Sequence, residues 1–224
     1  MHYNIMETTY NREDLQAHLE LIKPSGYALE STENEFRFTK LEPQRKITIT
    51  PTYDDYFPHD VVFTGVFLDV LFINVEQIFH NVYLNNSTVD FKHFLNETPT
   101  FSKGFTNILT VADKEKLKSM QVYDDSSFYI VKPLLEQMIS ATVNFISQNQ
   151  TIQDFYNLGE GMNIDQQANF YVQPLPERKL IIKKLLLISD YNNYATQLIN
   201  YYTQEGEIQD ANFIQALKTH LDNL

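Results

Sequence analysis

The densest run of chemically capable side chains is Tyr53-Asp54-Asp55-Tyr56-Phe57-Pro58-His59-Asp60. Asp54, Asp55, His59 and Asp60 are hard-donor residues of the kind that hold magnesium or calcium, which makes a metal-assisted hydrolase one reading. No glycine supplies the sharp turn of a calcium loop, and acidic surface loops are common. The same residues suit a second chemistry. Tyrosine rings offer rigid contact area and carboxylates steer a cationic partner, so Tyr53, Asp54, Asp55, Tyr56, Phe57 and Asp60 read as a surface for a basic protein. Asp69 is the third candidate, because it interrupts an apolar strand where an unpaired buried carboxylate would be costly or would keep its proton. It is either a catalytic acid in a cleft or a structural group turned to the strand end or to a backbone N–H.

Other chemistries are excluded or weak. The chain has no cysteine, which removes disulfides, thiol catalysis and cysteine-bound zinc. Its six histidines contain no i, i+4 pair, so no helix face presents two imidazoles to zinc. No G-x-S-x-G elbow appears, and the six glycines form neither a dinucleotide fingerprint nor a phosphate loop. No cofactor is expected. Gly159-Glu-Gly161 reads as a helix stop, and Asp124-Asp125 beside Ser126-Ser127 as a turn cap. Arg178, Lys179, Lys183 and Lys184 form the only basic cluster. They read as side chains snorkelling from a buried helix, with capture of an acidic group as the alternative.

Twenty-nine acidic against seventeen basic residues give a net charge of −12, which disfavours nucleic acid and favours a basic partner. No Lys or Arg lies between Lys46 and Lys92 or between Lys132 and Arg178. Such windows are either buried segments or parts of a negative face. The most apolar run, Val61 to Ile73, carries Asp69 and is shorter than the roughly 18 residues a membrane helix needs, so no membrane span is expected. The first residues lack a basic and apolar leader pattern, and the cytoplasm is the expected location.

The elements that must position these residues follow from periodicity. Asn11 opens a helix carrying Leu15, Leu19 and Ile22, and Pro24-Ser-Gly26 ends it. Strands are predicted at 27–31, 35–41 and 45–53, joined by short turns as an antiparallel meander. Val61 to Phe72 reads as a fourth strand apolar on both faces, with Gly65 marking a bulge. Asn74 and Gln77 read as the cap of a helix that follows directly, with Val75, Ile78, Phe79 and Val82 on one face. Between Asn85 and Val111 only Val89–Leu95 and Phe105–Val111 read as ordered pieces.

A charged helix is predicted at 113–120, and the best internal boundary at 121–127. Pro133 then reads as the start of a helix that runs to Gln148, Thr151 and Asp154 as the cap of another, and Asp210 as the cap of the last. Residues 177–204 read as either one long helix or two broken near Ser189–Asn193, with the break favoured.

The sum is an α+β protein: an N-terminal helix and antiparallel β-meander sheet over 1–120, then a mainly helical half over 126–224, in a single compact unit. Three functions stay open. The first is a non-catalytic module binding a basic protein, possibly toxin-neutralising (immunity-type) by analogy of charge and size. The others are the metal-assisted hydrolase and a structural or oligomerisation protein whose cation-free windows are interface. The sequence gives no oligomeric state.

Overall fold

Asn11 sets the start of the first helix. Its side chain accepts the amides of Glu13 at 2.8 Å and Asp14 at 3.1 Å, and the Asp14 carboxylate accepts the Asn11 amide at 2.9 Å. That capping box opens α1, Arg12–Glu20. The computed structural model describes residues 9–86 and 98–224. The meander follows as β1 (Ala28–Ser31), β2 (Phe36–Leu41), β3 (Arg45–Asp55) and β4 (Val61–Phe72). After β4 come α2 (Ile73–Asn85), β5 (Phe101–Gly104), a 3-10 turn (Thr106–Ile108), α3 (Val111–Ser119) and β6 (Gln121–Val122). The rest is helical: α4 (Asp125–Gln148), α5 (Ile152–Glu160), α6 (Ile164–Phe170), α7 (Leu175–Leu185), α8 (Tyr191–Gln204) and α9 (Ile208–Asp222). The protein is therefore α+β, an N-terminal helix and antiparallel meander followed by a mostly helical half. The strand order is β1-β2-β3-β4-β5, with β6 also pairing β4. Among the described residues no helix is long and apolar enough to cross a membrane.

Packing divides the chain into two compact units whose segments interleave, rather than at the 121–127 boundary suggested by composition. The first comprises 1–41, 47–69 and 103–148, and the second 42–46, 70–102 and 149–224. In the first, Leu15, Leu19, Phe36, Phe38, Ile47, Ile49, Phe63, Phe128, Leu135 and Met138 are buried. In the second, Phe72, Phe79, Phe101, Phe155, Phe170, Tyr171, Leu180, Ile181, Phe213 and Leu217 are buried.

Several local expectations give way to packing. β4 is not covered on both faces. Burial follows Val61, Phe63 and Gly65, then slips by one residue to Val66, Leu68, Val70 and Phe72. An extra residue in a strand produces such a slip, and it falls at the predicted bulge. A β carbon at Gly65 would run into Thr106 Oγ1, so any larger residue there would force the Thr106 side chain aside. The slip turns Phe67 outward to 45 % exposure and leaves Asp69 half-buried.

Asn74 does not cap α2. The helix begins at Ile73, whose amide donates to the Gln44 carbonyl at 3.0 Å. Pro133 lies inside α4, which starts at Asp125. The burial of Val131, Leu134, Leu135 and Met138 on that helix offsets the roughly 3 kcal/mol by which an internal proline disfavours it. Asp210 sits in the first turn of α9 rather than at its cap. Strand β5 and helix α6 had no clear periodicity, and the segment Val89–Leu95 lies outside the described residues. The Thr151–Asp154 capping box and the break between α7 and α8 are present.

Candidate functional site

The acidic run is the end of the β3–β4 hairpin. Thr52 and Thr64 face each other through their hydroxyls at 2.9 Å, which fixes the register, and the turn closes through Tyr56 N–H to Asp60 C=O at 2.9 Å. Side chains alternate on a strand, so Tyr53 and Asp55 share one face of β3 and Asp54 takes the other. Asp54, Asp55, Tyr56 and His59 are exposed, Tyr56 by 55 %. Tyr53, Phe57 and Asp60 are half-buried. Tyr53 packs edge-on against Phe63 with ring centroids 6.0 Å apart, and Phe57 stacks on Tyr10 at 6.3 Å. Of the six residues read as contact surface, Tyr53 and Phe57 therefore hold the hairpin down, while Asp54, Asp55 and Tyr56 face water. Burial raises the Tyr53 hydroxyl above its ordinary pKa, the Arg12 guanidinium opposes this, and Asp55 and Glu35 add to it. Asp60 Oδ1 has no hydrogen-bond partner among the described residues.

The β4–β6 pairing enlarges this acidic end. Val61 lies opposite Val122 and Val62 opposite Gln121, so the antiparallel chain carries Tyr123, Asp124 and Asp125 past the hairpin turn. Tyr123 is 51 % exposed, and both aspartates are exposed. Asp124 also caps α4, as its sequence context suggested. Its Oδ1 accepts Ser127 N–H at 2.8 Å and Ser127 O–H at 2.7 Å, and these bonds hold its carboxyl below the usual carboxylate range. Asp125 Oδ1 meets His18 Nε2 at 2.8 Å, and His18 Nδ1 meets the Tyr10 hydroxyl at 2.8 Å. The His18 ring stacks flat on Phe128, 4.2 Å between centroids.

A hydroxyl, an imidazole and a carboxylate in line resemble a nucleophile with its base and orienting group. Tyr10, however, is 2 % exposed, and burial, then Asp14, Asp125 and Tyr53, push its hydroxyl pKa upward, away from a reactive phenolate. The chain of bonds ties α1 to the start of α4. Nothing in the sequence announced it, because His18 and Asp125 are 107 positions apart.

The metal reading loses its geometry. Among the described residues no three His, Asp or Glu side chains are grouped to hold an ion, so Asp54, Asp55, His59 and Asp60 do not converge on one point. Asp69 is not the enclosed carboxylate the strand pattern implied, because the register slip left its side only partly covered.

Compared with known proteins, the chain matches no protein family, no curated protein and no solved structure.

The basic cluster on α7 lies in the second unit, and half of it does not snorkel. The Arg178 side chain is fully enclosed, and its Nε and Nη2 donate to Glu76 Oε1 and Oε2 at 2.9 and 2.8 Å. Its Nη1 donates to the carbonyls of Val172, at 3.1 Å, and Gln173. Thr100 completes the centre by donating to Glu76 Oε1 at 2.8 Å. Lys183, 3 % exposed, donates to both Asp190 oxygens at 2.7 and 2.9 Å and to Tyr156 Oη at 3.1 Å. Lys179 reaches Glu160 at 2.6 Å, and Lys184 lies 3.7 Å from Asp222. All four cations have carboxylate neighbours within the unit.

Proposed function

We propose that this protein is a non-catalytic binding module that docks a basic protein partner on the acidic end of the β3–β4 hairpin, in a toxin-neutralising (immunity-type) role. The observation that carries the reading is the convergence of two sequence-distant acidic, tyrosine-bearing segments, 53–60 and 123–125, through the pairing of Val61 with Val122. Asp54 and Asp55 form no ion pair with any described residue, so a cationic side chain would find them available. Tyr56 and Tyr123 offer rigid rings beside them, the residue type favoured where proteins bind proteins. Electrostatic steering would make association fast and salt-dependent.

The test is titration of the intact chain with a lysine- and arginine-rich peptide of about ten residues, long enough to reach across the hairpin end. Replacing Asp54, Asp55 and Asp60 with asparagine should weaken binding by about tenfold or more, the scale of losing one to two kcal/mol of charge contact. The matched control removes the same charge elsewhere, at the exposed Asp165, Glu205 and Glu207. Equal weakening by both triples would overturn the proposal, since it would mean only net charge is felt.

A further inference from the structure

Glu177 stands out in the second unit as an acid with no evident use. It occupies the first turn of α7, is 1 % exposed, and its Oε2 has no hydrogen-bond partner among the described residues. The neighbouring guanidinium is turned to other groups: Arg178 donates to Glu76 and to two backbone carbonyls. α8 and α9 both pack on α7. From α9, Asp210 brings a like charge to Glu177. From α8, Tyr194 and Tyr202 feel its charge, and Tyr202 also feels Asp210 and Glu207. α2, the third helix against α7, carries Glu76, which Arg178 holds, and His80, which lines a surface groove with Leu71 and Leu84. Glu177's own amide N–H and Arg178 are the only stabilising influences on its anion among these groups.

A carboxylate so placed is tolerated with its proton on and penalised with it off. We infer that Glu177 makes the packing of α8 and α9 on α7 a proton-dependent latch, closed while the carboxyl is neutral and loosened as it ionises. The burial of Glu177, then Asp210, raise its carboxyl from an ordinary 4.5 to about 7, which places the change where cellular and acidified compartments differ. The latch is independent of the acidic hairpin and would stand if partner docking failed.

Hydrogen exchange of the whole chain, corrected for the intrinsic pH dependence of exchange, tests it. Between about pH 5 and about pH 8.5 the opening equilibrium of amides in α7, α8 and α9 should rise on the order of fiftyfold, while amides of α4 in the first unit serve as the reference. Glu177→Gln should flatten that rise. Asp210→Asn, a second variant that leaves Glu177 in place, should weaken it by removing the like charge. A pH-independent opening in the wild type, or the same rise in Glu177→Gln, would overturn the latch. If Glu177→Gln does not fold, an unchanged rise in Asp210→Asn would do so.

Discussion

The charges around Arg178 are enclosed and matched, whereas Asp54 and Asp55 stand in water and form no ion pair with any described residue. In the second unit Glu76, Arg178 and Thr100 satisfy one another within 2.9 Å, and Lys183 is clamped by Asp190 and Tyr156. In the first, Asp54 and Asp55 are exposed on one hairpin, with Asp124 and Asp125 on the segment beside it. Glu177 falls between the two cases, enclosed like Arg178 yet unmatched like Asp55. A matched buried charge fixes local structure and is withdrawn from any partner. An unmatched exposed one contributes little to folding and remains available. Removing charges from each place should therefore have opposite consequences, large for stability in one and large only for binding in the other.

The biggest effect should come from Arg178→Met. It leaves Glu76 largely enclosed with no counter-ion, and breaking a buried pair from one side costs about 3 to 5 kcal/mol. Chemical denaturation should show that loss, and Glu76→Met combined with Arg178→Met should restore part of it. If the single variant is as stable as the wild type, the pair is not structural and the contrast collapses.

Next in size is Glu177→Gln, whose effect depends on pH. The folded carboxyl titrates near 7 and the unfolded one near 4.5, so the folded state holds the extra proton in between. Wild-type stability is therefore full below about 4.5 and falls as pH rises to about 7, by about 3 kcal/mol in all. The variant's stability relative to the wild type should be greater by that amount above pH 7 than below 4.5, as read from melting curves of both proteins at the two ends.

A change that moves no charge calibrates the scale. α7 ends with Ile188 N–H on the Lys183 carbonyl at 2.9 Å and Leu187 N–H on the Lys184 carbonyl at 3.0 Å, the double bond pattern that wants glycine at the left-handed position. Leu187 occupies it at φ 54° and is 85 % exposed, whereas the equivalent end of α8 uses Gly206 at φ 82°. Leu187→Gly should stabilise the protein by about 1 kcal/mol, since it relieves the backbone and surrenders little packing. A destabilised variant would mean that the leucine makes contacts its exposure does not suggest. The smallest effect on stability belongs to Asp54→Asn with Asp55→Asn, within about 0.5 kcal/mol of the wild type in the same denaturation assay.

The acidic hairpin was legible from sequence because its parts are contiguous: alternating Ile47 and Ile49, then Tyr53 to Asp60, then the apolar run from Val61. Its local helix caps, Asn11 with Asp14 and Thr151 with Asp154, were legible for the same reason. The approach of Asp124 and Asp125 was not, because a two-residue strand carries no periodicity of its own. The outward turn of Asp69 depends on a one-residue slip, which composition cannot display when both alternating sets are apolar. Arg178 read as a side chain snorkelling from a buried helix because Glu76, the acid that pairs with it, lies 102 positions away in sequence. Pairing across long separations is what single-sequence reading lacks.

Partner docking at the hairpin is tested most directly by amide NMR shifts of the full chain during addition of the lysine- and arginine-rich peptide. Residues 53–62 and 121–129 should move first and saturate together, and the shifts should shrink as salt screens the charges. Shifts spread evenly over exposed acids such as Asp165, Glu205 and Glu207, or none at 53–62, would contradict the account.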